Sequence, residues 1–196
     1  MESLIKDYGR YLNNIGYLVA AFVTVVLLII IIRIWIRQRK PLAQISRIVR
    51  KSGVGVQAQV LLPGVDGQLY TADYLIMTPC GIWLLDVLDF EGLIFGGAET
   101  DDWTQVIGRK SFRFTNPLHA LRDKRIQLQA MSDLEEIKAA VVFTRAGCFP
   151  KDRPGGTVQQ QDLAQLLVCP DQDRKKQQNT HLQRAWDLLV TELNMN

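Results

Sequence analysis

The apolar positions of this chain fall into three patterns, and each predicts a different kind of element. Residues 15–32, IGYLVAAFVTVVLLIIII, carry no charge and have Tyr17 and Thr24 as their only polar side chains; Ile34, Trp35 and Ile36 extend the run past Arg33. A helix needs about 20 such residues to cross a bilayer, and an arginine can snorkel at its end. The pattern predicts a transmembrane helix over 15–36. A cleaved signal peptide is disfavoured, because the run is long and is followed by the basic flank RIWIRQRK rather than by a small-residue cleavage site.

After the run, PLAQISRIVRKSG puts Leu42, Ile45, Ile48 and Val49 on one side of a short helix that Gly53 and Gly55 end. VGVQAQVLL reads as a strand, with a turn over Pro63, Gly64, Asp66 and Gly67. TADYLIMTPCGIWLLDVLDF does not alternate, so it predicts two strands buried on both faces, about 69–77 and 82–88, joined at Pro-Cys-Gly. EGLIFGG, WTQVI and the alternating KSFRFT predict short strands or a flap. Asn116-Pro117 predicts a helix start, with the helix running to about Met131. A further apolar strand lies in IKAAVVFTRAG, a short helix follows VQQQDLAQLLV, and a closing amphipathic helix carries Leu182, Trp186, Leu189 and Leu193 on one face. The order indicates an α/β domain with a mixed sheet.

Charge sets the expected topology. Arg33, Arg37, Arg39, Lys40, Arg47, Arg50 and Lys51 follow the run, against Lys6 and Arg10 before it. The positive-inside rule then leaves a short extracytoplasmic N-terminus (1–14), a basic juxtamembrane segment and helix (37–51) and a cytoplasmic domain (52–196), with the span as signal anchor in the cytoplasmic (inner) membrane. Six of the 23 bases and two of the 20 acids fall in residues 1–40, leaving 17 and 18 beyond them. A neutral domain does not bind nucleic acid through bulk charge. In the cytoplasm Cys80, Cys148 and Cys169 are expected to be reduced. No Cys/His pair has zinc spacing, and His119 and His181 are isolated.

The candidate chemistry lies in the buried strand pair. Asp73 and Asp86 each interrupt an apolar strand, and a two-residue hairpin loop makes them direct cross-strand neighbours. A bulge at Gly81 instead shifts the register by one and separates them onto opposite faces. Two close carboxylates need a raised pKa, a cationic neighbour or a divalent cation. Mg²⁺ binds through one or two carboxylates plus water and phosphate.

ADYLIMTPCGIWLLDVL, with the later Gly92, Trp103 and Asn116-Pro117-Leu118, resembles the nuclease-related domain (NERD) family of the PD-(D/E)xK nuclease-like superfamily, over roughly residues 41–130. The resemblance implies a restriction-endonuclease-like mixed-sheet domain, Asp73 and Asp86 as metal-ligating catalytic carboxylates, Gly81 as the turn glycine, and Mg²⁺ as cofactor. Leu88 stands where the family has a lysine that orients water and stabilises charge. No Asp or Glu lies between Asp7 and Asp66, where the family's first helix often supplies a glutamate. Both departures imply a degenerate module binding nucleic acid, such as DNA, or a protein partner at the cytoplasmic membrane face. A weakly active Mg²⁺-dependent nuclease and a non-catalytic assembly module are the alternatives. Arg109, Lys110, Arg113, Arg122, Lys124 and Arg125 form the candidate nucleic-acid-binding cluster, within which Lys110 and Lys124 are candidates for a relocated lysine. Trp83 and Trp103 are read as core side chains, with base stacking as the alternative.

Overall fold

The computed structural model describes residues 2–63, 69–132, 134, 136–168 and 175–195, and two compact units divide the chain at Pro41. Helix α1 (Glu2–Ser52) runs through this boundary with Pro41 inside it. In the first unit the described side chains are those of Val19 and residues 21–33, all exposed, including Phe22 and every residue from 25 to 32. Among the described residues no helix is long and apolar enough to cross a membrane. The apolar run expected over 15–36 extends beyond those side chains, which cover only its middle.

The second unit is a mixed α/β domain built on two mixed sheets. The larger takes β1 (Gly55–Pro63), β2 (Leu69–Thr78), β3 (Gly81–Leu88), β7 (Lys138–Phe143) and β9 (Thr157–Gln159), in that order. Its first three strands are antiparallel, and β3, β7 and β9 are parallel. The smaller sheet has the order β6 (Lys110–Thr115), β5 (Asp102–Ile107), β4 (Gly92–Phe95) and β8 (Gly147–Cys148). Helices α2 (Pro117–Met131), α3 (Leu163–Leu167) and α4 (Lys175–Met195) complete the chain. Two mixed sheets with helices suit the restriction-endonuclease-like architecture that the resemblance implies.

Side-chain alternation in the central strands sorts the core into two clusters. Ile82, Leu84 and Leu75 face Ile94, Trp103, Leu121 and Leu128, together with Leu182, Trp186 and Leu189 of α4. Leu85 and Ile76 face the other way, against Ile45, Val49 and Leu163. The end of α1 is thereby packed into the domain through Ile45 and Val49, while Leu42, expected on the same side, is exposed. The turn expected at residues 63–67 lies, after Pro63, outside the described residues.

Candidate phosphodiester site

The β2–β3 hairpin pairs Thr78 with Gly81 and Tyr74 with Leu85. Its loop is the two-residue Pro79-Cys80, closed by the Thr78 hydroxyl on Gly81 O at 2.9 Å and by Gly81 at φ 128°, a conformation that glycine adopts without Cβ strain. This is the register that makes Asp73 and Asp86 neighbours. The ladder stops one step short of them, and the Val87 N–H instead donates to Asp73 Oδ2 at 2.7 Å. Asp73 therefore replaces a backbone acceptor, and Gln59 Nε2 lies 3.4 Å from its other oxygen.

Asp86 has a different partner. Lys124 projects from the inward face of α2, where Leu121 and Leu128 are core residues, and its Nζ lies 2.5 Å from Asp86 Oδ2. Lys124 is only 8% exposed and the Asp86 side chain 14%. The second carboxylate oxygen, Asp86 Oδ1, is buried without a hydrogen-bond partner. Burial pushes the Asp86 carboxyl above its ordinary range. The hydrogen bond and charge of Lys124 pull against that shift without cancelling it, and the Asp73 charge adds to it. Of the three remedies for paired carboxylates, the fold shows two, a raised pKa at Asp86 and a cationic neighbour from another element.

The residues that resembled the family signature hold that element in place. Asn116 Oδ1 accepts from Leu118 N at 2.9 Å and caps α2, while its Nδ2 donates to the carbonyls of Gly97, Ala98 and Thr100, the last at 2.7 Å. Trp103 is fully buried and donates to Gly97 O. Gly92 sits at φ 84°, where a Cβ would meet Val106 O at 2.3 Å. Trp103 and Asn116 thus fix the loop between β4 and β5 against the start of the helix that carries Lys124, while Gly92 lets β4 lie close against Val106 of β5.

The other candidate residues are distributed differently. Arg109 and Lys110 are exposed at the β5–β6 turn, and Arg113 is exposed on edge strand β6, 3.8 Å from Asp102. Arg122 is exposed on α2 and Arg125 is half-buried beside it. Lys124 stands apart from these five, inside the domain on Asp86. Leu88 is half-buried against the core. Trp103 is a core residue, and Trp83 is half-buried with Lys138 Nζ 5.5 Å from its ring centroid. Cys80, expected to be reduced, is disulfide-bonded; Cys148 is a free, exposed thiol; Cys169 lies outside the described residues.

Two features go beyond the sequence reading, in which Lys124 is only one of two candidates for a relocated lysine. Gln59 has φ 57°, a left-handed conformation that costs a non-glycine residue about 1–3 kcal/mol, and it lies against Asp73. Nothing in VQAQV signals it. The role of Lys124 did leave a signal, since Leu121, Lys124 and Leu128 form an i, i+3, i+7 stripe with a lysine in its middle.

The fit to a divalent cation can be judged from the donors. Among the described residues no group of three or more His, Cys, Asp or Glu side chains gathers to hold a metal. Two neighbouring carboxylates, one with a buried unengaged oxygen, nevertheless match the sparse protein ligation of Mg²⁺, which keeps water and substrate phosphate as its other ligands. Asp73 and Asp86 would hold it.

A family model described as a nuclease-related domain matches residues 37–144. A 53-residue stretch is 32% identical to an uncharacterized protein of Bacillus anthracis, covering 27% of this chain and 25% of that protein. The chain thus matches about a quarter of the length of that curated relative. No solved structure matches.

Proposed function

The chain belongs to the nuclease-related domain family, and from that membership we propose that its α/β domain is a nuclease-like module acting on phosphodiesters, with Asp73 and Asp86 as the acidic pair and Lys124 as the lysine absent at Leu88. The observation that carries this reading is the buried Lys124–Asp86 contact of 2.5 Å. A lysine reaching the second carboxylate from a packed helix puts an ammonium on it, as a lysine two residues later along the strand would be expected to do. Helix α2 makes the second arrangement available.

A bound Mg²⁺ would supply Lewis acidity toward a phosphate oxygen. The chain's own groups do the rest. Lys124 lies beside the acidic pair, where an ammonium stabilises negative charge developing on a phosphate and orients a water. The Val87 N–H and the Gln59 amide hold Asp73 in orientation. Arg109, Lys110 and Arg113, on the exposed β5–β6 hairpin, provide surface charge for a nucleic-acid backbone. In this reading the domain is tethered to the cytoplasmic membrane by residues 15–36 and faces the cytoplasm, in keeping with the basic excess after the apolar run. A non-catalytic module binding nucleic acid or protein is the second reading, favoured by Asp73, whose carboxylate already serves as acceptor for the Val87 N–H.

The test is incubation of the full chain, in detergent or nanodiscs, with labelled single- and double-stranded DNA and RNA in Mg²⁺, Mn²⁺ or EDTA. Metal-dependent cleavage that Asp86→Asn abolishes is expected. Binding without cleavage under every condition would favour the second reading.

A further inference from the structure

Against α2 lies a cavity of about 230 Å³, whose lining includes Leu121, Arg122 and Arg125 of the helix, Ala139 of β7, and Gly155 and Gly156 of the loop before β9. Its charge is one-sided. Two arginines line it and no acidic side chain does, and among the described residues neither arginine has an ion-pair partner. The Nε of Arg125 is buried with no acceptor. A buried guanidinium donor left unpaired costs more than an ordinary surface donor, and an oxyanion in the cavity would remove that cost.

The loop opposite suits a bound anion. Gly156 has φ 83°, and a Cβ there would stand 3.2 Å from Leu118 Cδ2, while Gly155 has nothing within 4 Å of a Cβ position. Two glycines keep side chains out of one wall of the cavity. Residues three apart on a helix project from neighbouring positions, so the Arg122 and Arg125 guanidiniums can grip one group together.

We propose that this cavity is a phosphate-binding pocket in which Arg122 and Arg125 take a phosphate oxyanion. The favoured source is a phosphate of the strand whose cleavage the proposed function describes, because Lys124, between the two arginines in sequence, reaches the acidic pair from the same helix turn. Only this choice of source rests on that function; the pocket itself does not.

The experiment titrates inorganic phosphate into the full chain in detergent, with chloride at equal ionic strength as control. It uses the native sequence in EDTA, so that metal-dependent cleavage plays no part. Arg125→Gln and the exposed Arg122→Gln are compared on the same background. Saturable phosphate binding, weakened about tenfold or more by each substitution, is the expected result. A 5′-phosphorylated oligonucleotide that competes with phosphate better than its 5′-hydroxyl form supports strand phosphate as the source; competition by mononucleotides alone supports the pocket with a small phosphorylated ligand. Phosphate that binds no better than chloride, or equally well to all three proteins, overturns the proposal. Its failure would leave metal-dependent cleavage untouched, so the two readings fail separately.

Discussion

Asp86 and Lys124 form a pair whose members depend on each other. Replacing Lys124 with Met leaves the buried Asp86 carboxylate without its counter-ion, and breaking a buried pair from one side costs about 3–5 kcal/mol. Chemical denaturation should show a loss of that order, whereas a loss below about 1 kcal/mol would mean that the carboxylate is better hydrated than its surroundings indicate. The pH dependence has a definite sign. Burial raises the folded Asp86 carboxyl above its ordinary 3.8, so this group binds its proton more tightly folded than unfolded. Its contribution favours the fold below 3.8 and is lost as pH rises through the folded pKa. NMR titration of the Asp86 carboxyl should place its midpoint above 3.8, and Lys124→Met should move it higher still, since the opposing charge has gone. A midpoint that ignores Lys124 would show that the contact does not persist in solution.

At the scale of elements, the residues that carried the resemblance act through α2. Asn116 caps the helix and ties three carbonyls of the β4–β5 loop to it, so Asn116→Ala should destabilise the domain by about 2–3 kcal/mol. Hydrogen exchange should show the loss concentrated in residues 96–100 and the first turn of α2. Uniform loosening of the whole domain would mean that the cap does not act locally. These elements also show what a sequence can disclose. The register of Asp73 and Asp86 was legible only as one of two alternatives, because a bulge at Gly81 fits the same residues, and the pairing of Thr78 with Gly81 decides between them; the start of α2 was legible from Asn116-Pro117. Strands β8 and β9, two and three residues long, were not, because their pairing comes from tertiary contacts with β4 and β7 rather than from local pattern. Lys124 was visible as a base but not as the partner of Asp86, because that contact spans 38 residues of sequence.

For the whole molecule, two observations bear on where the domain resides. The basic excess after the apolar run favours the cytoplasm. A disulfide-bonded Cys80 is unusual chemistry there. A phosphatase fused to the C-terminus, active only after export, should be inactive if the basic flank decides the topology. Activity would put Cys80 in an oxidising compartment and remove cytoplasmic nucleic acid as the substrate.

The central claim is that the ammonium missing at Leu88 arrives from Lys124, and moving it back is the most direct measurement. Mg²⁺-dependent cleavage by the full chain should fall about 10²–10⁴-fold in Lys124→Met, the usual worth of one positioned catalytic group. It should recover in part when Leu88→Lys is added, because the ammonium then reaches the acidic pair from β3. Cleavage indifferent to Lys124, or a loss that Leu88→Lys does nothing to repair in a protein that still folds, would contradict the account.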